Sequence, residues 1–427
     1  MSDIATLDNE LMRLFSSAPD LVADPFPLFR LLREEHPVHD AGAFVLISRY
    51  ALIKDAFLDP ENLSSQTQRA GTSRVEAARA ALDTDEHRRM FDYIVGIERT
   101  MLTFSDGAEH ARLRDVAAKL FTPRRIAQLE DSTQELTDSL LDQLAAEGDV
   151  ADFDAFASQL PALVIGNLLG VPAADAPLLI DWGAKIMANL FGGQGPTVLE
   201  EGYEGHRAFG DYIGTVMTRY RETGEAQAEA AEALLHAASI GLIGDEQLSA
   251  MFREMLLGGF ETTRISLLGT VFELMRNRDQ WRALCADPSL ATSAFEEGLR
   301  VFGSAQWSAR IPVVDMELEG VHIPADKTCI LMLGAANRDP AVFEDPDRFD
   351  IGRANVRQHL AFAVGKHYCL GQALARLEGR IALHALATRF PDAELAIPAD
   401  EVRYAGNALF RRVAALPIRL GGDRRAS

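Results

Sequence analysis

The amino-acid sequence predicts a mainly α-helical protein with small β-sheets (an α+β chain). Apolar residues recur at three- and four-residue spacing through long stretches, the longest being Asp245–Arg276. Strand-like runs are few and short, at residues 43–47 and 313–323. No Pro/Ser-rich linker, internal repeat or long low-complexity tract divides the 427 residues. The expectation is therefore one domain over 1–427, with about 1–23 and 421–427 peripheral.

Taken in order, Asp24-Pro25-Phe26-Pro27 leads into an amphipathic helix over 28–35. The strand at 43–47 contains Phe, Val and Ile, and a helix over Tyr50–Leu58 stops at Asp59-Pro60. Residues 64–99 have poor periodicity and frequent charges, as a long surface segment with short helices would. Asp106-x-x-Glu109 predicts a capping pair for a helix through Leu120, on which His110 and Arg114 share a face while Arg112 points outward. Helical spacing continues over 126–146, 160–169, 178–190 and 206–221. Phe191-Gly192-Gly193-Gln194-Gly195-Pro196 interrupts the last two and permits a hinge, and 225–239 reads as a solvated helix.

Asp245–Arg276 contains Gly258-Gly259, which cost a helix roughly 1 kcal/mol each relative to Ala. Thr262 lies four residues after Gly258, so its hydroxyl can reach that carbonyl and distort the helix locally. Such glycines serve either a close helix crossing or a functional bulge. Glu297-x-x-Arg300 places an acid and a base three apart on one helical face. Arg310 precedes Ile311-Pro312 and a hairpin.

The composition bounds the function. A formal net charge of −21 argues against non-specific nucleic-acid binding and against docking on anionic membranes. The apolar stretches fall short of the ~20 residues that span a bilayer, and the N-terminus lacks a signal pattern. Three cysteines fit a reducing compartment. The expectation is a soluble, cytoplasmic protein. Five basic residues (Arg353, Arg357, Lys366, Arg376, Arg380) against one acid, Glu378, form an island in the acidic chain. They either dock an acidic partner or neutralise carboxylates nearby.

Within that island Cys369 stands between Gly365 and Gly371, directly ahead of a helical run through Leu370, Ala373, Leu374 and Leu377. A cysteine at a helix start is favoured as a thiolate, hence as metal ligand or nucleophile. No other cysteine or histidine pair lies at zinc-ligand spacing.

The pattern Phe362-x-x-Gly365-x-His367-x-Cys369-x-Gly371-x-x-Leu374-Ala375 resembles the haem-binding loop of the cytochrome P-450 family, the haem-thiolate monooxygenases. Ala363 departs from it, since many members have Gly there. The resemblance extends over about residues 24–420 and implies the family's helix-rich triangular prism, with haem b between the long helix and the Cys369 helix. It implies that Cys369 ligates the iron and that Phe362, Gly371 and Gly258 border the haem. His110, Arg114, Arg310, His367 and also His359 become cations for the haem propionates. Gly258 would open a groove for dioxygen, Thr262 would steady the reduced oxygen species, and Glu261 would relay protons through water. Glu297, Arg300 and Arg348 (from Pro346-Asp347-Arg348-Phe349) would form a structural triad.

The implied activity is insertion of one oxygen atom of O2 into a hydrophobic small molecule. With no nucleotide-binding motif in the chain, electrons would come from an iron–sulfur ferredoxin and its NAD(P)H reductase. A peroxide-using enzyme of the same fold or a haem-based sensor are the alternatives; neither needs Glu261-Thr262. Candidate pocket residues are Ile94, Val95, Leu257, Gln306, Trp307, Asn407, Leu409 and Phe410, with Trp307 either a wall of the pocket or part of the core.

Overall fold

A computed structural model describes residues 4–69, 71–191, 195–224 and 228–424. Its axis is the unbroken helix Asp245–Arg276, 32 residues and therefore about 48 Å long. Apolar side chains cover nearly its whole circumference, among them Leu248, Phe252, Leu256, Ile265 and Val271, so it is buried on all sides. Phe153–Leu169 packs along it where Gly259 removes a side chain: a Cβ there would stand 2.8 Å from Ile165. Ala291–Val301 crosses it where Gly298 meets Thr270. Gln372–Arg389 completes the core, with Gly379 seated on Phe295.

The largest sheet has five strands in the order Val38–Asp40, Val45–Ile47, Cys329–Leu331, Ser308–Pro312 and Leu63–Ser64. Val45 pairs in parallel with Cys329, and Cys329 in antiparallel fashion with Arg310. That register carries Arg310 toward the centre of the molecule. Three small sheets accompany it, including the hairpin Met316–Leu318 with Val321–Ile323. Residues 64–99 hold two helices, Gly71–Ala80 and Asp85–Glu98, the second capped by the Thr84 hydroxyl.

Several expectations change. The N-terminal residues are not peripheral from residue 4 onward. Helix Ile4–Phe15 buries Leu7, Leu11 and Leu14, and Asp8 meets His39 at 2.7 Å. Near the other end Asp423 binds Arg389 at 2.6 Å. The helix expected to be solvated, seen as Glu229–Ser239, buries Leu234 and Leu235 against the core. The expected glycine hinge includes Gly192–Gln194, which lie outside the described residues. Helices Ala176–Phe191 and Pro196–Thr223 flank it and pack on each other. No helix among the described residues is long and apolar enough to cross a membrane.

Candidate active site

Two left-handed residues shape the cysteine loop. Gly365 has φ +78°, and a Cβ there would stand 2.8 Å from the Phe57 carbonyl oxygen, so conformation and space both require glycine. Ala363 takes φ +54°. The alanine thus adopts a glycine-like conformation, at a cost of about 1–2 kcal/mol. The Cys369 N–H donates to the Phe362 carbonyl at 3.0 Å, and helix Gln372–Arg389 begins three residues on. Burial pushes the Cys369 thiol up; the Gly371 and Gln372 N–H groups and the Arg114 and Arg376 guanidiniums act against it.

Cys369 exposes its surface to an interior cavity of about 290 Å³, bordered also by Gly258, Thr262, Phe362 and Gly371. Four bases border the same cavity: His110, Arg114, Arg310 and His367. Arg114 donates to the Tyr368 carbonyl at 2.5 Å. Arg310 is 6% exposed, lies over the Phe57 ring, and burial pulls it down to about 10. The His110 ring lies 4.1 Å from that of His367, tilted by 37°, and has no hydrogen-bond partner at Nε2. Burial, with His367 and Arg114 nearby, pushes it down to about 4.

Asp106 compensates part of this charge. The expected capping pair does not form, because the Asp106 carboxylate finds stronger donors elsewhere. It accepts from the Ser64 and Ser65 hydroxyls at 2.5 and 2.8 Å and faces His367 at 3.4 Å. Burial alone would raise its pKa, yet these donors hold it well below the usual carboxylate range. Glu109 turns instead to Gln247 at 3.0 Å. One thiol, an unpartnered imidazole nitrogen, the buried Arg310 guanidinium and the half-buried Arg114 guanidinium around one cavity are a donor set that fits an iron porphyrin with two propionates.

The two glycines of the central helix divide the readings left open for them. Gly259 makes the close crossing, whereas Gly258 has open space beside it and borders the cavity. The Thr262 hydroxyl donates to the Gly258 carbonyl at 2.6 Å, and Ser266 and Thr270 repeat that bond one and two turns on. The helix absorbs these bonds without a break. Glu261 does not border the cavity; it pairs with Arg264 at 3.2 Å, which grips Asp154 at 2.6 and 2.7 Å.

Under the loop, Glu297 and Arg300 form a two-pronged, fully buried pair at 2.7 Å. The third arginine is Arg353, 3.2 Å from Glu297, and not Arg348. The Arg348 side chain is 63% exposed, and only the backbone carbonyl oxygen of Arg348 meets Arg300. His359 is also corrected. It meets Glu296 at 2.8 Å through Nε2 and accepts the Ala361 N–H at Nδ1, so neither nitrogen is left for a propionate. Glu296 was not anticipated; besides His359 it binds Arg376 at 2.6 Å, tying the cysteine helix to Ala291–Val301. Burial works against it, but those two hydrogen bonds bring its carboxyl down to about 2. Arg353, Arg376 and Arg380 are thus committed to Glu297, Glu296 and Glu130; Arg357 also approaches Glu296, at 3.7 Å, but its side chain is 72% exposed, so it and Lys366 are the exposed members of the basic island.

The expected substrate residues are mostly elsewhere. Ile94 and Val95 face a separate cavity with Glu98 and Leu199. Leu257 lies against the Gly183 turn of Ala176–Phe191. Gln306 donates to the Phe302 and Gly303 carbonyls, and Trp307 packs on Phe15 in the core. The Asn407 carbonyl side chain accepts the Leu409 and Phe410 N–H groups, making a turn away from the cavity. The cavity wall is instead Leu102, Thr103, Met251, Glu254, Met255 and Glu378. Helical spacing from Gly258 backward would have found Glu254 and Met255.

A family model described as cytochrome P450 matches residues 206–394. The chain is 33% identical over 431 residues to the cytochrome P450 monooxygenase PikC of Streptomyces venezuelae, spanning 99% of this chain and 97% of that protein. It is 33% identical to the vitamin D(3) 25-hydroxylase of Pseudonocardia autotrophica, spanning 98% of each. Among solved structures, that of CalO2 superposes with a TM-score of 0.85 at 29% identity, covering 95% of this chain and 98% of that one.

Proposed function

We propose, from the premise that this chain belongs to the cytochrome P450 family and is a haem-thiolate monooxygenase, that Cys369 is the iron ligand and that the oxidised substrate is a hydrophobic small molecule. The observation that carries the site reading is the Thr262 hydroxyl fastened to the Gly258 carbonyl on the cavity that Cys369 borders. Bound haem supplies oxygen activation, for which a thiolate ligand favours O–O cleavage.

The protein's own groups do the rest. His110, Arg114, Arg310 and His367 hold the propionates. Gly258 leaves room beside the helix for a diatomic molecule. Thr262 donates its only hydroxyl proton to the Gly258 carbonyl, so its oxygen would present a fixed lone pair to the cavity and steady a protonated group there as an acceptor. Glu261 relays protons to that hydroxyl through water after leaving Arg264, which retains Asp154 as partner. Leu102, Met251 and Met255 keep bulk water out.

Similarity to a named hydroxylase supports hydroxylation as the outcome. Electrons come from an acidic ferredoxin and its reductase, docking near the exposed Lys366 and Arg357 beside the cysteine loop. We read residues 4–424 as one catalytic unit, in keeping with the buried N-terminal helix and the Arg389–Asp423 pair.

The test is NADH-driven turnover with a surrogate ferredoxin system. Thr262→Ala should keep the long-wavelength Soret band of the reduced carbon monoxide complex while most reducing equivalents emerge as hydrogen peroxide. Fully coupled product formation in that variant would remove Thr262 from the mechanism.

A further inference from the structure

We infer that Glu254 is a specificity-determining residue and that the substrate presents a protonated nitrogen to it. This rests on the monooxygenase reading and narrows its substrate class.

Glu254 precedes Gly258 by four residues and Thr262 by eight, so the three share one face of the central helix. All three border the cavity. Eight residues advance about 12 Å along the helix axis. The carboxylate therefore stands at the far end of the substrate space from the Thr262 hydroxyl. Arg253, the neighbouring position, turns the other way, donating to the His206 carbonyl and lying over the Phe209 ring.

The carboxylate is held in one orientation. One oxygen accepts the Leu102 N–H at 2.7 Å and the other the Thr103 N–H at 2.8 Å. The Thr103 hydroxyl is a third donor, and the carboxylate keeps room for one further group. Among the described residues no cation is bonded to Glu254. Around it lie Leu102, Met251 and Met255, so an ionised carboxylate there is costly to leave without a counter-charge. Burial pushes its pKa up, and the Thr103 N–H and hydroxyl, the Leu102 N–H and the more distant charge of Arg253 act in the opposite sense. A substrate with a basic nitrogen forms a charge-assisted hydrogen bond to this carboxylate and removes that cost. The net charge of −21 concentrates organic cations around the protein. The nitrogen and the oxidised atom then lie at opposite ends of the molecule, joined by an apolar body.

A carboxylate that merely fastened the Leu102–Phe104 turn to the helix would favour no ligand charge. The two roles separate in a binding experiment on the haem-loaded protein, read by iron spin state and by calorimetry. The probes are n-decylguanidinium and its neutral isostere n-decylurea. Wild type should bind the guanidinium roughly tenfold more tightly. Glu254→Gln should bring the ratio to about one, mainly by weakening the guanidinium, and Glu254→Asp should keep part of the preference.

Equal affinity for the two probes in wild type, or binding of neither, overturns the inference. So does a guanidinium preference that persists in Glu254→Gln. If Glu254→Gln fails to load haem, Glu254→Met takes its place, and a guanidinium preference that persists in it overturns the inference. Loss of the carbon monoxide band or of ferredoxin-driven turnover in wild type would instead strike the monooxygenase reading, which the binding ratio does not measure.

Discussion

Beneath the cysteine loop, Glu296 and Glu297 are at most 1% exposed, and each is met by at least two cationic or imidazole side chains. Across the cavity, Glu254 has the Leu102 and Thr103 N–H groups and the Thr103 hydroxyl for partners, and among the described residues no cation is bonded to it. The side that must hold a thiolate in a fixed place is cross-braced by neutralised charge. The side that must accommodate a variable molecule leaves donors and acceptors only partly used. Closed networks give position, and open valences give recognition.

The contrast can be broken most severely at Glu297. Glu297→Gln leaves Arg300 and Arg353 buried without a counter-charge, and the unfolding free energy in denaturant should fall by about 3–5 kcal/mol. An unchanged midpoint would mean that the network does not brace the loop. Arg353→Ala should cost roughly 2 kcal/mol through its bond to Glu297, whereas Arg348→Ala should stay within about 0.5 kcal/mol because that side chain lies in solvent. The reverse ranking would restore Arg348 to the triad.

The pH dependence sharpens the same comparison. Glu296 is depressed from 4.5 to about 2, so its contribution is fully present above its unfolded value and is lost as pH falls through about 2. Wild-type stability should therefore decline between about pH 4.5 and 2, and Glu296→Gln should decline less steeply there. Parallel curves would show that Glu296 is not held ionised. The smallest effect belongs to Ala363→Gly, which relieves the left-handed alanine but loosens the unfolded chain. A net gain of up to about 1 kcal/mol is expected, seen as a slightly higher Tm. A lower Tm would show that Ala363 is not strained.

Much of the site could be read from spacing. Gly258 to Thr262 and His110 to Arg114 are one helical turn apart, and Gly365, Cys369 and Gly371 lie within one short loop. Proximity in the chain becomes proximity in space there, because helix and turn geometry are local. The same holds for Glu297 with Arg300.

Choosing among residues of equal local merit was beyond that reasoning. Arg348 and Arg353 are five residues apart in an irregular segment, and only the path of the backbone decides which guanidinium enters the core. His359 and His367 look alike as cations until Glu296 claims the first. The candidate pocket residues were not brought together for the same reason: Gln306 is held by the Leu409 carbonyl about a hundred positions on, Trp307 by Phe15 near the other end of the chain, and Leu409 and Phe410 by the Asn407 turn.

The sequence by itself determined the helical class, the thiolate loop and the alcohol on the central helix, since each is written in a few consecutive turns. The tertiary structure alone decided which buried charges find partners and which carboxylate faces the substrate, because desolvation and ion pairing depend on what packs opposite.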